Sequence, residues 1–180
     1  MGDEQQVETC RLEVMEFVIR RVRVEDARFI IQVLNPIIAA GRYTIMDEEI
    51  TVEEQIDYIR GFPERGVFNV AVSAANQEIL GLQSVEPFST SADAFRHVGE
   101  ISTFVSFASR RNGIGRSLSQ ATFKEAKEQG FLKISAMIRA DNPQAVSFYL
   151  SQGFKVIGTA QKHAFVLGRY IDEVLMERFI

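Results

Sequence analysis

The first sixty residues alternate between the hydrophobic spacing of a β-strand and that of a helix. Residues 17–22 alternate apolar and polar side chains, as a half-buried strand does. Apolar residues then recur at helical spacing over residues 24–34, until Pro36, where we expect the helix to be interrupted. Thr51 followed by Glu54 is a capping-box pattern at the start of a second helix. This part of the chain therefore predicts one strand followed by two helices.

The remaining residues predict six more strands and two more helices. Two β-rich segments, residues 68–74 and 79–85, flank a short turn, which is typical of an antiparallel hairpin. The later segments are a strictly alternating strand, a helix, a strand, a helix and two strands, over residues 98–107, 115–129, 133–139, 141–153, 154–160 and 170–179. The order β-α-α-β-β-β-α-β-α-β-β predicts an α/β (α+β) fold, with a mixed central sheet of about seven strands flanked by about four helices.

Composition and charge are typical of a single folded domain. The chain has 180 residues, of which 46% are apolar and 24% are charged, and its formal net charge is −4. We therefore expect one domain over residues 16–180, after a polar lead-in of residues 1–15. The negative net charge argues against a nucleic-acid partner, because no basic surplus is left to neutralise phosphates.

The sequence gives no sign of a metal site or of a membrane segment. Cys10 is the only cysteine, so no intrachain disulfide can form, and the two histidines, His97 and His163, lie far apart in sequence. We therefore expect no metal. No apolar run approaches the roughly 18 residues of a membrane span. We expect no membrane partner and a cytoplasmic location.

The segment R-R-N-G-I-G joins a predicted strand to a predicted helix. A helix that begins in a glycine-rich loop leaves unpaired backbone amides pointing in one direction, and the helix dipole adds positive potential there. Gly113 and Gly115 lack the side chains that would block an anion. Arg110, Arg111 and Arg116 add positive charge around them. The loop therefore predicts an anion-binding site.

Three other interpretations compete at this loop. A P-loop needs Gly-Lys-Ser or Gly-Lys-Thr, which the sequence does not contain. A dinucleotide fingerprint needs a third glycine where Leu118 stands, and it opens the first βαβ unit, whereas this loop lies late in the chain. A tight turn that only begins the helix remains an alternative when the G-x-G pattern is taken alone.

Two motifs in order point to a particular family. The first is R-x-x-G-x-G at residues 110–115, between a strand and an amphipathic helix, and the second is N-x6-Y-x3-G-F at residues 142–154. Through these motifs and the order of its elements over residues 16–180, the chain resembles the GNAT superfamily of acetyl-CoA-dependent N-acetyltransferases. It is closest in pattern to the phosphinothricin and amino-acid N-acetyltransferase group. The resemblance implies a single GNAT-type domain.

The resemblance also implies how acetyl-CoA, the cosubstrate, is held. The amides of the loop would bind the pyrophosphate of coenzyme A, and the preceding strand would pair with the pantetheine arm. Asn142, which is also placed to cap the following helix, would contact the pantetheine. The implied cofactor-binding residues are Phe104, Val105, Arg110, Arg111, Asn112, Gly113, Ile114, Gly115, Arg116 and Asn142.

Acetyl transfer to an amine needs a proton acceptor for the amine and a proton donor for the leaving thiolate. Glu100 lies on the strand before the loop and shares one strand face with Ser102 and Phe104. Its spacing from the loop matches a glutamate that acts as the base in phosphinothricin-type enzymes. The second motif implies Tyr149 as the general acid. The structural alternatives are a solvent-facing carboxylate for Glu100 and a core aromatic for Tyr149.

The acceptor site is the part of the protein on which the sequence is least informative. By resemblance, three loops build it, and they suggest Arg42, Tyr43, Arg96 and His163 as substrate-binding residues. An arginine there could clamp a substrate carboxylate. We expect acetyl transfer, by direct attack on the thioester, to the primary amine of a small molecule such as an amino acid or an analogue. A protein N-terminus or lysine as the acceptor, and a non-catalytic coenzyme A-binding module, are the alternatives. The resemblance also implies a homodimer.

Overall fold

A computed structural model describes residues 16–180, so the predicted lead-in, with Cys10, lies outside the described residues. Within them the predicted order of seven strands and four helices is confirmed. The strands are β1 (Phe17–Arg21), β2 (Val67–Ser73), β3 (Ile79–Pro87), β4 (Val98–Val105), β5 (Lys133–Arg139), β6 (Lys155–Val166) and β7 (Arg169–Phe179). The helices are α1 (Ala27–Ala39), α2 (Val52–Arg60), α3 (Ile114–Glu128) and α4 (Pro143–Ser151).

The strands form one sheet in the order β1-β2-β3-β4-β5-β7-β6. Neighbouring strands are antiparallel except β4 and β5, which run parallel. On one face, Ile30 of α1 packs in a buried cluster with Phe68 of β2. On the other face, Ala126 of α3 and Tyr149 of α4 pack around Ile101 of β4. The mixed sheet with helices on both faces confirms the predicted fold class.

Strands β4 and β5 part in the middle of the sheet. They pair over three positions, from Val98 opposite Lys133 to Glu100 opposite Ser135. Beyond these positions β4 continues to pair with β3 as far as Val105, whereas β5 continues to pair with β7. A gap therefore opens between the carboxyl ends of two central strands, and one edge of β4 is left there without a strand partner.

Helix α1 continues through Pro36 to Ala39, so the predicted interruption is wrong. Ile37 and Ile38 follow the proline and are both buried against the sheet. Burying a side chain of this size contributes about 1.5–3 kcal/mol, and the two together offset the cost of about 3 kcal/mol for a proline inside a helix. Core packing therefore outweighs the local penalty.

Pro36→Ala is expected to stabilise the protein. Alanine restores a backbone N–H that can bond to the carbonyl four residues earlier, and Pro36 is exposed, so no core contact is lost. We expect the free energy of unfolding, measured by urea titration, to rise by about 1–3 kcal/mol. Pro36→Gly is the control and should gain about 1 kcal/mol less, because glycine has a lower helix propensity. An unchanged or lower value for the alanine variant would contradict this account.

Several predicted strand boundaries also differ from the structure, and two of them lie near predicted site residues. Strand β6 extends to Val166, because its register with β7 shifts between Ala160 and Ala164 and the pairing then resumes. His163 therefore lies on a strand and not in a loop. Strand β4 ends at Val105, and a short 3-10 helix begins where the predicted strand had its last residue.

Two negative findings concern residues 16–180. No helix in this range is both long enough and apolar enough to cross a lipid bilayer. No group of three or more His, Cys, Asp or Glu side chains in the same range is arranged to hold a metal ion.

Candidate active site

A cavity of about 690 Å³ lies at the gap between β4 and β5. Its wall includes Tyr149 and its hydrogen-bond partner Thr103 from one face of the sheet, and Ile37 and Phe104 from the core on the other face. The cavity therefore reaches both faces of the sheet at the carboxyl end of β4. The predicted site residues that line it are Tyr43, Phe104, Val105, Arg110, Arg111, Gly113, Ile114, Gly115, Arg116, Asn142 and Tyr149.

Helix α3 begins at the glycine loop, beside the cavity. Gly113 is the N-cap residue and has a φ of +79°, a left-handed conformation that glycine adopts without strain. A Cβ atom at this position would meet no atom within 4 Å, so the approach to the helix is open. No side chain caps this helix end, which leaves the amides of Ile114, Gly115 and Arg116 available to a ligand. Open amides at a helix N-terminus fit the pyrophosphate of coenzyme A.

The three arginines of the loop have different environments. The guanidinium of Arg110 lies against two rings, 4.7 Å from the centroid of Tyr43 and 4.3 Å from the centroid of Phe107. Arg111 and Arg116 are exposed beside the cavity. Arg110 therefore links the glycine loop to the segment between α1 and α2, whereas the charges of Arg111 and Arg116 are available to an anionic ligand.

Two predicted cofactor-binding residues use polar groups within the loop itself. The side-chain amide of Asn112 donates to the carbonyl of Ser109 at 3.4 Å, and Asn112 does not line the cavity. The carbonyl of Val105 accepts a hydrogen bond of 3.2 Å from Nε of Arg110. The loop is therefore held in shape by its own side chains.

Helix α4 positions the hydroxyl of Tyr149. Asn142 caps the helix by accepting a hydrogen bond of 3.2 Å from the amide of Ala145, and Pro143 occupies the first turn. The Tyr149 hydroxyl lies 2.9 Å from Oγ1 of Thr103 at the cavity wall. Burial raises the pKa of Tyr149 to about 12, so the phenol keeps its proton at neutral pH. The group is suited to donate a proton into the cavity.

Glu100 lies on the face of β4 opposite to that of Thr103, at the last position where β4 pairs with β5. It borders the gap but does not line the cavity. Burial raises the pKa of the Glu100 carboxyl, and the charges of Glu86 and Glu173 raise it further. Within residues 16–180, no basic side chain forms an ion pair with it. A carboxylate in this environment is suited to accept a proton.

The four predicted substrate-binding residues are not brought together. Tyr43 lines the cavity, and Arg42 is exposed, with its guanidinium 5.0 Å from the centroid of the Tyr43 ring. His163 has Nε2 3.9 Å from a carboxylate oxygen of Glu173, one of the two charges that act on the proposed base. Arg96 is exposed beside the carboxyl end of α3, at the opposite end of that helix from the glycine loop.

Gln83 and Thr103 lie at the site but are not among the residues predicted from the sequence. Nε2 of Gln83 donates to Oγ1 of Thr103 at 2.8 Å, and Thr103 lies in turn beside the hydroxyl of Tyr149. Gln83 is fully buried in β3. A glutamine inside an apolar strand is a usable signal, because a buried amide is costly unless it is hydrogen-bonded. Thr103 gives no such signal, because threonine is common in strands.

Residues 19–175 match the family described as the acetyltransferase (GNAT) domain, and the chain belongs to this family. It is therefore an acetyl-CoA-dependent N-acetyltransferase of the GNAT type. The family that the two sequence motifs predicted is confirmed.

Relatives of defined activity support the same group. The chain is 26% identical to the L-amino acid N-acyltransferase MnaT of Escherichia coli (strain K12) over 159 residues, which cover 88% of this chain and 91% of the relative. It is 29% identical over 110 residues to an L-methionine sulfoximine/L-methionine sulfone acetyltransferase of Salmonella typhimurium, covering 61% and 64%. A solved GNAT phosphinothricin acetyltransferase from Sinorhizobium meliloti, in complex with acetyl-CoA, superposes with a TM-score of 0.83 at 22% identity, covering 92% and 89%. At this identity the solved structure supports the fold alone.

Proposed function

We propose that this acetyltransferase transfers the acetyl group of acetyl-CoA to the primary amine of an amino acid or a close analogue. The observation that carries the proposal is the cavity that reaches both faces of the sheet where β4 and β5 part. A cosubstrate that enters from the side of α3 can meet an amine that enters from the side of α1. The names of the Escherichia coli and Salmonella typhimurium relatives, which specify L-amino acids and methionine analogues, support this class of acceptor.

In this proposal the chain holds acetyl-CoA at two places. The amides of Ile114, Gly115 and Arg116 bind the pyrophosphate, where the helix dipole favours negative charge. The edge of β4 near Phe104 and Val105, which has no strand partner on the side of β5, offers backbone groups to the pantetheine amides. The cosubstrate supplies the activated acyl thioester.

Glu100 and Tyr149 divide the proton transfers. The amine reaches the site as an ammonium ion, and Glu100 takes its proton, directly or through water. As the new C–N bond forms and the C–S bond breaks, Tyr149 gives its phenolic proton to the sulfur of coenzyme A, and the second proton that the nitrogen loses restores the phenol of Tyr149. The raised pKa of each group supports its role: it strengthens Glu100 as a base and keeps Tyr149 protonated until the thiolate leaves.

The proposal is tested by following thiol release from acetyl-CoA with a panel of L-amino acids, methionine analogues, polyamines, aminoglycosides and short peptides. We expect release with L-amino acids or their analogues, and mass spectrometry should place the acetyl group on the amine. Release with peptides alone would contradict the proposal in favour of a protein acceptor. Tight binding of coenzyme A without release for any acceptor would contradict it in favour of a non-catalytic module.

We also propose that the protein forms a homodimer through β6 and the β6–β7 hairpin. Strand β6 lies at the edge of the sheet and presents an unpaired strand edge. Five apolar or aromatic side chains there are between 50% and 64% exposed, namely Val156, Ile157, Phe165, Leu167 and Tyr170. An apolar surface of this kind favours burial against a second copy. Light scattering should show a dimer that Phe165→Glu converts to a monomer, whereas a monomeric native chain would contradict the proposal.

A cytoplasmic location is part of the same set of proposals. It is supported by the single cysteine of the chain, which leaves no intrachain disulfide to be protected in an oxidising compartment. Fractionation of cells that express the native chain tests it, and recovery in a secreted or membrane fraction would contradict it.

A further inference from the structure

A hydrogen-bond network of three side chains, Ser119, Gln83 and Thr103, joins the glycine loop to Tyr149. The Ser119 hydroxyl donates to the carbonyl of Gly115 at 3.0 Å. Nε2 of Gln83 donates both to Oγ of Ser119, at 3.1 Å, and to Oγ1 of Thr103, at 2.8 Å. Thr103 lies 2.9 Å from the hydroxyl of Tyr149. The network therefore links the glycine loop to Tyr149 across strands β3 and β4.

This hydrogen-bond network determines which end of the Gln83 amide faces Thr103. Because the Ser119 hydroxyl gives its proton to the Gly115 carbonyl, its oxygen can only accept a hydrogen bond from Gln83. The group that lies between Ser119 and Thr103 is therefore the NH2 group of Gln83, and both of its hydrogens are used. Thr103 thus receives a hydrogen bond on one of its lone pairs.

The hydrogen bond between Thr103 and Tyr149 also has a defined direction. Within residues 16–180, Tyr149 is the only acceptor within reach of the Thr103 hydroxyl proton. A hydroxyl that already accepts a hydrogen bond from Gln83 is polarised toward donating its own proton, so the arrangement in which Thr103 donates to Tyr149 is the cooperative one. Thr103 therefore donates to Tyr149, and the proton of Tyr149 is left free for the cavity that Tyr149 lines.

We propose that Gln83 and Thr103 are positioning residues that orient the hydroxyl of Tyr149, so that its proton points toward the coenzyme A sulfur. The carbonyl oxygen of Gln83 supports a role other than stability. It is buried and has no hydrogen-bond partner within residues 16–180, so the amide is unfavourable for stability at this position. The inference rests on the proton-donor role of Tyr149 given under the proposed function.

The first test compares Gln83→Leu and Thr103→Val with the native chain. Each variant removes one link, and we expect kcat to fall about tenfold, the factor that one lost hydrogen bond can cause, while KM for acetyl-CoA stays within about twofold. Thr103→Ser keeps the hydroxyl and should retain most of the native kcat. Unchanged kcat in both Gln83→Leu and Thr103→Val, or a loss in Thr103→Ser equal to that in Thr103→Val, would overturn the proposal.

The second test needs no bound cosubstrate. In protein labelled with 13C at the tyrosine Cζ position, the Tyr149 resonance reports the hydrogen bond that its oxygen accepts. We expect this resonance to shift in Gln83→Leu and in Thr103→Val. A resonance that stays in place in both variants would overturn the proposal.

Asn69 provides a matched control. It is the cross-strand neighbour of Gln83, is equally buried, and also has an oxygen without a partner in the described part of the chain. Its Nδ2 donates to Thr122 and Glu125, neither of which is hydrogen-bonded to Tyr149 in the described part of the chain. Asn69→Leu should therefore change stability but leave kcat and the Tyr149 resonance as in the native chain. If it lowered kcat as much as Gln83→Leu does, the effect would be one of folding and the proposal would fail.

Tyr149→Phe separates failure of this inference from failure of the proposed function. We expect Tyr149→Phe to lower kcat, and Thr103→Val to cause no further loss in that background, because the hydroxyl it orients is gone. If Tyr149→Phe leaves kcat unchanged, the donor role of Tyr149 is wrong and this inference falls with it. If Tyr149→Phe lowers kcat and Thr103→Val lowers it by the same factor in both backgrounds, only the inference is overturned.

Discussion

Glu100→Gln is expected to lower kcat by about 10²-fold or more with the best amine acceptor, because a general base typically contributes at least this factor. Glutamine keeps the size of the side chain but cannot take up the ammonium proton. KM for acetyl-CoA should change little, because Glu100 borders the gap without lining the cavity. Steady-state thiol release at saturating acceptor measures both quantities.

The pH dependence of kcat distinguishes a base from a residue with only a structural role. In the native chain, kcat should rise as Glu100 loses its proton, at a pH above the usual carboxyl range, since its pKa is raised by burial and by Glu86 and Glu173. This rising limb of the kcat–pH profile should be absent in Glu100→Gln. Glu86→Gln removes one of the repelling charges and should move the limb to lower pH. A limb that persists in Glu100→Gln would contradict the assignment.

The raised pKa of Glu100 also makes stability depend on pH. A carboxyl whose folded pKa exceeds its unfolded value, about 4.3, binds its proton more tightly in the folded state. Its contribution to stability is therefore full below the unfolded pKa and is lost as the pH rises through the folded pKa. Glu100→Gln should accordingly be more stable than the native chain at neutral pH, with a smaller difference in acid. A less stable variant at neutral pH would mean that the loss of activity reflects a damaged fold.

Most helices and strands could be predicted because their signals are local. The capping box of Thr51 and the cap at Asn142 act within one helical turn, and both hydrogen bonds are present in the structure. Pro36 misled the prediction for the opposite reason. The cost of a proline in a helix is local, whereas the burial of Ile37 and Ile38 that offsets it comes from contacts with the sheet.

The features of the candidate site also fall into those that are local in sequence, which could be predicted, and those that depend on tertiary structure, which could not. The glycine loop and the motif that contains Tyr149 could be located because each has a defined spacing within one segment. The gap between β4 and β5 could not, because it depends on β5 leaving β4 to pair with β7. The contacts of Thr103 with Gln83 and Tyr149 span 20 and 46 residues and also depend on tertiary structure. Arg96 was predicted to lie near the acceptor because its loop follows β3. In the structure this loop instead places Arg96 at the carboxyl end of α3, far from the glycine loop.

Gly113→Val is expected to weaken coenzyme A binding by about 10²-fold. The φ of +79° is unfavourable for a β-branched residue, and a side chain at this position occupies the open space in front of the α3 amides. Hydrogen bonds to charged groups contribute about 1.5–3 kcal/mol each, so losing one or two of them from the pyrophosphate gives an effect of this size. Isothermal titration calorimetry with coenzyme A measures the loss.

Gly168→Val is the matched control for backbone strain. Gly168 lies in the β6–β7 turn with a φ of +78°, and a Cβ atom there would also meet nothing within 4 Å. Both variants should therefore lose a similar amount of stability, about 1–2 kcal/mol for a side chain forced into this region, but only Gly113→Val should lose affinity for coenzyme A. Pantetheine, the part of coenzyme A that lacks the pyrophosphate, serves as a second ligand. Its binding should be nearly unaffected by Gly113→Val. Equal loss of pantetheine and coenzyme A affinity would place the pyrophosphate elsewhere and remove the glycine loop from the proposed site.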